Sequence, residues 1–116
     1  MFQLNSFDII QDKVVRDGMV AVLISEGFGA GWYTWNQAHP ELLFLPTVVE
    51  MVLNYKSPED IEACIDNIYG KDNDIYIGGL GGLTVVWVPQ GADFQVHEYD
   101  GAEQLKLKDQ QHWFTA

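Results

Sequence analysis

The chain has a single cysteine, Cys64, a single arginine, Arg16, and six basic residues in all against seventeen carboxylates. A lone cysteine excludes any disulfide within the chain, and with it the stapled frameworks of small secreted domains; a reducing compartment is the simplest reading. The shortage of lysine and arginine argues against direct DNA or RNA binding, where basic side chains must displace the counterions of each phosphate. It argues equally against an anionic membrane surface. Long apolar runs are also missing: the longest, Met19 to Ile24, is far too short to span a bilayer. Met1 to Ser6 has neither a basic start nor an apolar stretch, so the expectation is a chain without a secretory leader, cytoplasmic in location.

Metal and catalytic signatures are absent too. His39, His97 and His112 are scattered, and no HxH, HxxxH or CxxC spacing supports zinc. The glycines of IYIGGLGGL (residues 75–83) lack the lysine and following hydroxyl of a phosphate loop, and a strand rather than a helix follows them. Ser6, Ser25 and Ser57 lie in no nucleophile-elbow context. The expectation is therefore no catalytic residue, no metal and no cofactor.

What is present is enough for one core. Apolar residues make up 47% of the 116, which suits a single domain over residues 1–116 without staples. The net charge is −11 and uneven, six acids against three bases in residues 1–58 and eleven against three in residues 59–116. An acidic surface of this kind keeps a small protein dispersed, and it also suits a basic partner.

Turn and cap signals divide the chain. Asp17-Gly18 predicts a hairpin turn between Val14-Val15 and the β-branched run Met19 to Ser25, which reads as a buried strand. Gly27, Gly29 and Gly31 predict a tight loop, followed at once by Trp32, Tyr33 and Trp35. Thr47 to Tyr55 reads as a helix apolar on most sides, with Pro46 near its start. Ser57 to Gly70 is the clearest element: Ser57 as N-cap, Pro58 at the first helical position, Asp60 placed for a capping-box-like contact, and Gly70 as terminator. Ile61, Cys64, Ile65 and Ile68 form its apolar stripe. The remainder reads as strands: Phe2 to Leu4 as a short edge, Asp74 to Ile77, then Leu83 to Val88 pairing with Phe94 to Tyr99, and Asp100-Gly101 turning into Glu103 to Lys108. Segregated strands and helices predict an α+β fold, a mainly antiparallel sheet with a C-terminal β-meander and two adjacent helices packed on it.

The candidate ligand-binding residues are Arg16, Trp32, Tyr33 and Trp35. Aromatic rings stack on planar ligands, and an arginine grips phosphate or carboxylate through two parallel bonds. If residues 32–35 run extended, Trp32 and Thr34 face one side and Tyr33 and Trp35 the other. The same alternation sends His97 and Glu98 to opposite faces.

GFGAGWYTWN (residues 27–36) and LTVVWVPQGADFQVHEYDG (residues 83–101) resemble segments of small acidic proteins encoded by tailed bacteriophages. The resemblance implies a host-takeover or counter-defence setting, in the cytoplasm of an infected cell, and no assigned site residues. Three expectations follow. The first is a non-enzymatic sponge that sequesters a nucleotide-derived immune signal by stacking and by backbone N–H groups of the glycine loops, with a homo-oligomeric pocket offsetting the chain's negative charge. The second is an acidic inhibitor that binds a basic host protein as a nucleic-acid mimic. The third is a small enzyme with His97 or His39 as general base.

Overall fold

The computed structural model describes residues 13–108. The strand expected at Phe2 to Leu4 and the aromatic tail His112-Trp113-Phe114 lie outside the described residues. The fold is α+β and its paired strands are antiparallel. In chain order come β1 (Val15–Arg16), β2 (Met19–Ser25), α1 (Pro46–Leu53), α2 (Pro58–Tyr69), β3 (Leu83–Pro89), β4 (Phe94–Tyr99) and β5 (Ala102–Leu107). Short 3-10 helices occupy Tyr33–Trp35, Pro40–Leu43 and Leu80–Gly82.

Both hairpin turns form where Asp-Gly pairs predict them. Asp17 and Gly18 have φ of 53° and 75°, and Asp100 and Gly101 have 51° and 88°. Two successive positive φ values give the turn whose twist matches that of the flanking strands. The larger pairing is not the expected one. β3 pairs along its whole length with β2, from Met19 opposite Pro89 to Ser25 opposite Leu83. β4 pairs with β5 in a separate two-stranded sheet, from Phe94 opposite Leu107 to Tyr99 opposite Ala102. The C-terminal strands thus follow in the expected order, but β3 hands its ladder to the distant β2 and the Pro89–Asp93 connection crosses between sheets.

This arrangement covers β2 on both faces. Ala21 and Leu23 join Val48, Val49, Ile61, Ile65 and Trp32 in one core under the helices. Val20, Val22 and Ile24 join Val88, Leu43 and Phe44 in a second, packed against Phe94, Val96, Leu105 and Leu107 of the β4–β5 hairpin. A strand buried on both faces reads as a continuous apolar run, which is what MVAVLIS is.

α2 forms as its caps predict. The Asp60 amide donates to the Ser57 hydroxyl at 3.2 Å, and Gly70 ends the helix with φ of 90°. Ile61 and Ile65 are buried, and each such side chain contributes roughly 1.5–3 kcal/mol. α1 is shorter and less central than its composition suggests. It stops at Leu53, only Val48 and Val49 are buried within it, and Tyr55 lies beyond its end with φ of 56° and its ring exposed. The Tyr55 and Lys56 amides turn back to Val52 and Met51 carbonyls, which closes the helix before it can reach Tyr55.

Residues 74–77 are not a strand. The side-chain amide of Asn36 takes the place of a partner strand: its Oδ1 accepts the Tyr76 N–H at 2.7 Å and its Nδ2 donates to the Tyr76 carbonyl at 3.0 Å. With those backbone groups satisfied by one side chain, the segment has no ladder to join.

Candidate functional site

Two glycine-bearing segments and the β4–β5 turn meet at the Ser25 end of β2. A Cβ on Gly79 would lie 2.5 Å from the Gly31 carbonyl oxygen, and one on Gly101 would lie 2.2 Å from the Ala30 nitrogen. Backbone therefore packs directly on backbone at both points, which only glycine permits. This explains Gly79 as a packing position, and Gly82 likewise, where a Cβ would lie 2.9 Å from the Gly27 nitrogen; a Cβ on Gly81 would meet nothing. The Gly29 amide donates to the Asp100 carbonyl at 2.6 Å and ties the hairpin turn to the loop.

The centre of this junction is Glu103, a buried carboxylate at a position that the sequence pattern predicts only as strand. Its Oε1 accepts the Ser25 amide at 2.8 Å. Its Oε2 accepts the Trp32 amide at 2.9 Å, the Thr34 amide at 2.8 Å and the Thr34 hydroxyl at 2.6 Å. Converging backbone N–H groups make an anion site. Here the anion is the protein's own. A signal for this was present: on β5, Glu103 falls on the same face as Leu105 and Leu107, and that face is the inward one.

The register places Glu98 of β4 directly opposite Glu103. Glu98 accepts the Gly101 amide through Oε2 at 2.7 Å. Both residues line a cleft of about 420 Å³, together with Glu26, Phe28, His97, Tyr99, Ala102 and Gln104. No lysine or arginine lines it. Phe28 and Tyr99 are 76% and 79% exposed, so two aromatic rings stand in solvent in a cleft shared with the exposed Glu26 and Glu98. His97 turns its Nε2 to Gln95 Oε1 at 3.0 Å, on the opposite strand face from Glu98, as alternation requires.

The four residues expected to bind ligand fall in separate places. Trp32 is wholly buried, and its indole N–H donates to the Leu42 carbonyl at 2.9 Å; its ring belongs to the core under the helices. Residues 33–35 form a 3-10 helix rather than an extended stretch, so the expected two-sided alternation does not arise. Tyr33 packs partly buried against the second core. Trp35 is 41% exposed and lies against Tyr76, ring centroids 5.1 Å apart at 41°. Arg16 is at the other end of β2, roughly 20 Å away along the strand. It pairs with Glu50 and its guanidinium lies over the Trp87 ring, 5.9 Å from the centroid.

A second polar cluster lies outside the cleft. His39 sits between two carboxylates, its Nε2 2.8 Å from Asp74 Oδ1 and its Nδ1 3.4 Å from Glu41 Oε2. The Tyr69 hydroxyl donates to Glu41 Oε2 at 2.9 Å, and the His39 and Tyr69 rings meet edge-on at 5.7 Å. The hydrogen bond to His39 and its charge hold the Asp74 carboxyl below the ordinary aspartate value. Burial, reinforced by the charge of Glu41 and the hydrogen bond to it, pushes the Tyr69 phenol well above its usual value. The cluster joins the Pro40–Leu43 turn to α2 and to residue 74. Cys64, half-buried on α2, has its thiol pushed up by burial. Among the described residues no group of three or more histidine, cysteine or acidic side chains is placed to hold a metal ion, and no helix is long and apolar enough to cross a membrane.

Comparison of the chain with protein-family models, with curated proteins and with solved structures returned no match.

Proposed function

We propose that the chain is a non-enzymatic binding protein whose partner presents a cationic side chain, an arginine above all, to the cleft at the β4–β5 turn. The single observation that carries this reading is the pair of exposed glutamates, Glu26 and Glu98, in a cleft that no lysine or arginine lines. Carboxylates that share one cleft repel each other. A guanidinium arriving between Glu26 and Glu98 relieves that repulsion, offers its planar fork to their carboxylates, and stacks on the exposed rings of Phe28 and Tyr99. A basic protein is also the partner class that the phage resemblance implies for an acidic inhibitor. Three of the amides near the glycine loop, those of Ser25, Trp32 and Thr34, already bond to Glu103 and are not free for phosphate.

Calorimetric titration with an arginine-rich peptide tests the reading. Binding should weaken steeply with salt, and Phe28→Ala and Glu26→Gln should each weaken it by about tenfold, or ~1.4 kcal/mol. Binding that Phe28→Ala leaves untouched would reduce the interaction to general acidity and remove the cleft from it. A second reading, nucleotide stacking, is favoured by one feature, the half-exposed Trp35–Tyr76 ring pair; Trp35→Ala then abolishes nucleotide binding and leaves peptide binding intact.

A further inference from the structure

We infer that the edge of β3 that stays unpaired among the described residues is a self-association surface, and that two copies of this chain pair there antiparallel about Val85 into one continuous sheet. The hydrogen-bond phase of β3 fixes which groups face outward. The Gln90 amide donates to the Gly18 carbonyl and the Glu26 amide to the Gly82 carbonyl, one beyond each end of the β2–β3 ladder. Alternation then commits Thr84, Val86 and Val88 to β2 and turns the N–H and C=O groups of Leu83, Val85 and Trp87 away from it. Among the described residues none of these outward groups has a backbone or side-chain partner, and β3 ends the strand order of its sheet. Pro89, next in the outward series, has no N–H to offer and so sets the limit of the edge.

The outward set is self-complementary. In an antiparallel pair centred on Val85, Leu83 of one copy lies opposite Trp87 of the other and Val85 lies opposite Val85. Every opposed pair then consists of two outward-facing residues, which exchange both of their bonds. Charge favours the same place. In a chain of net charge −11, residues 75–92 carry no acidic or basic side chain. Two copies that meet along β3 therefore bring no carboxylates together there, and none of the lysines, prolines or inward charges that commonly blunt an edge lies within Leu83–Val88. A half-buried apolar edge of this kind is a template for an identical strand.

The test is the solution mass of the full chain by light scattering, combined with amide hydrogen exchange. Twice the 13.1 kDa chain mass is expected. Amides of Leu83, Val85 and Trp87 should gain protection as concentration rises, whereas those of Thr84, Val86 and Val88 should be protected throughout. Val85→Pro deletes the central outward N–H without touching the bonds to β2, and should weaken the dimer about tenfold or more. Thr84→Glu should act in the same direction by placing carboxylates on both sides of the axis. A parent chain that keeps the single-chain mass at high concentration overturns the inference. So does a dimer whose residue 83, 85 and 87 amides exchange freely, or one that the folded variants leave unchanged. If either variant fails to fold, the exchange pattern of the parent chain decides.

Discussion

Glu103 and Trp32 stand 71 residues apart in the chain, and the buried carboxylate of one accepts the backbone N–H of the other at 2.9 Å. The same carboxylate accepts the amides of Ser25 and Thr34 and the Thr34 hydroxyl. One side chain on β5 thus fastens the end of β2 and the start of the 3-10 helix that follows the glycine loop. Glu103→Ala leaves three amides without a partner, and should cost about 3–5 kcal/mol in urea denaturation. Glu103→Gln keeps one acceptor but turns an NH₂ toward a donor, and should cost less, about 1–3 kcal/mol. An alanine variant as stable as the parent would mean that this carboxylate holds nothing.

The α2 helix gives a second test, because its cap and its core face have different magnitudes. Ser57→Ala removes the hydroxyl that accepts the Asp60 amide and should cost ~1 kcal/mol. Ile65→Ala empties volume at a site with no exposure and should cost ~2–5 kcal/mol. The order of the two losses, measured as shifts in denaturant midpoint, checks the assignment of the helix face.

The Tyr69 phenol links stability to alkaline pH. Its folded-state value is raised by burial and by Glu41, so its contribution is fully present below the ordinary tyrosine value and is lost as pH rises beyond it. Stability should therefore fall above about pH 10. Tyr69→Phe should flatten that fall, at the cost of its bond to Glu41, about 1–3 kcal/mol at neutral pH. Denaturation midpoints of parent and variant across pH 8–11 measure both effects; parallel profiles would contradict the linkage.

Asp74 makes the opposite linkage on the acid side. Its carboxyl is held below the ordinary value, so the His39 contact contributes above that value and is lost as pH falls through the lowered one. A carboxyl-carbon NMR titration should show Asp74 ionising below the other exposed aspartates, and His39→Gln should move it back up. No change in the variant would detach the shift from His39.

Much of the architecture is legible locally because its causes are local. Asp17-Gly18, Asp100-Gly101 and Ser57-Pro58 each carry a turn or cap whose geometry depends on a few neighbouring residues. The pairing of β2 with β3 is not local: Met19 meets Pro89, and nothing near either residue names the other. An uninterrupted apolar strand is also indifferent to which neighbour it takes, so β3 read as a partner for β4. Residues 74–77 have strand-like composition, but one asparagine forty positions earlier takes up the Tyr76 backbone. At the site, aromatic rings drew attention to Trp32, whose indole N–H finds its acceptor inside the core. Glu103 was hidden by its charge, although its alternation with Leu105 and Leu107 put it on the buried face.

Backbone amide chemical shifts, followed by NMR as ligand is added, test the central claim most directly. An arginine-rich peptide and, separately, a panel of linear and cyclic nucleotides would be titrated into the labelled full chain. The proposed function predicts that the peptide shifts residues 26–28 and 97–104 together, that added salt reverses the shifts, and that the nucleotides leave those residues unmoved. Nucleotide-induced shifts centred on Trp35 and Tyr76, with no response to the peptide at Phe28 or Tyr99, would contradict it.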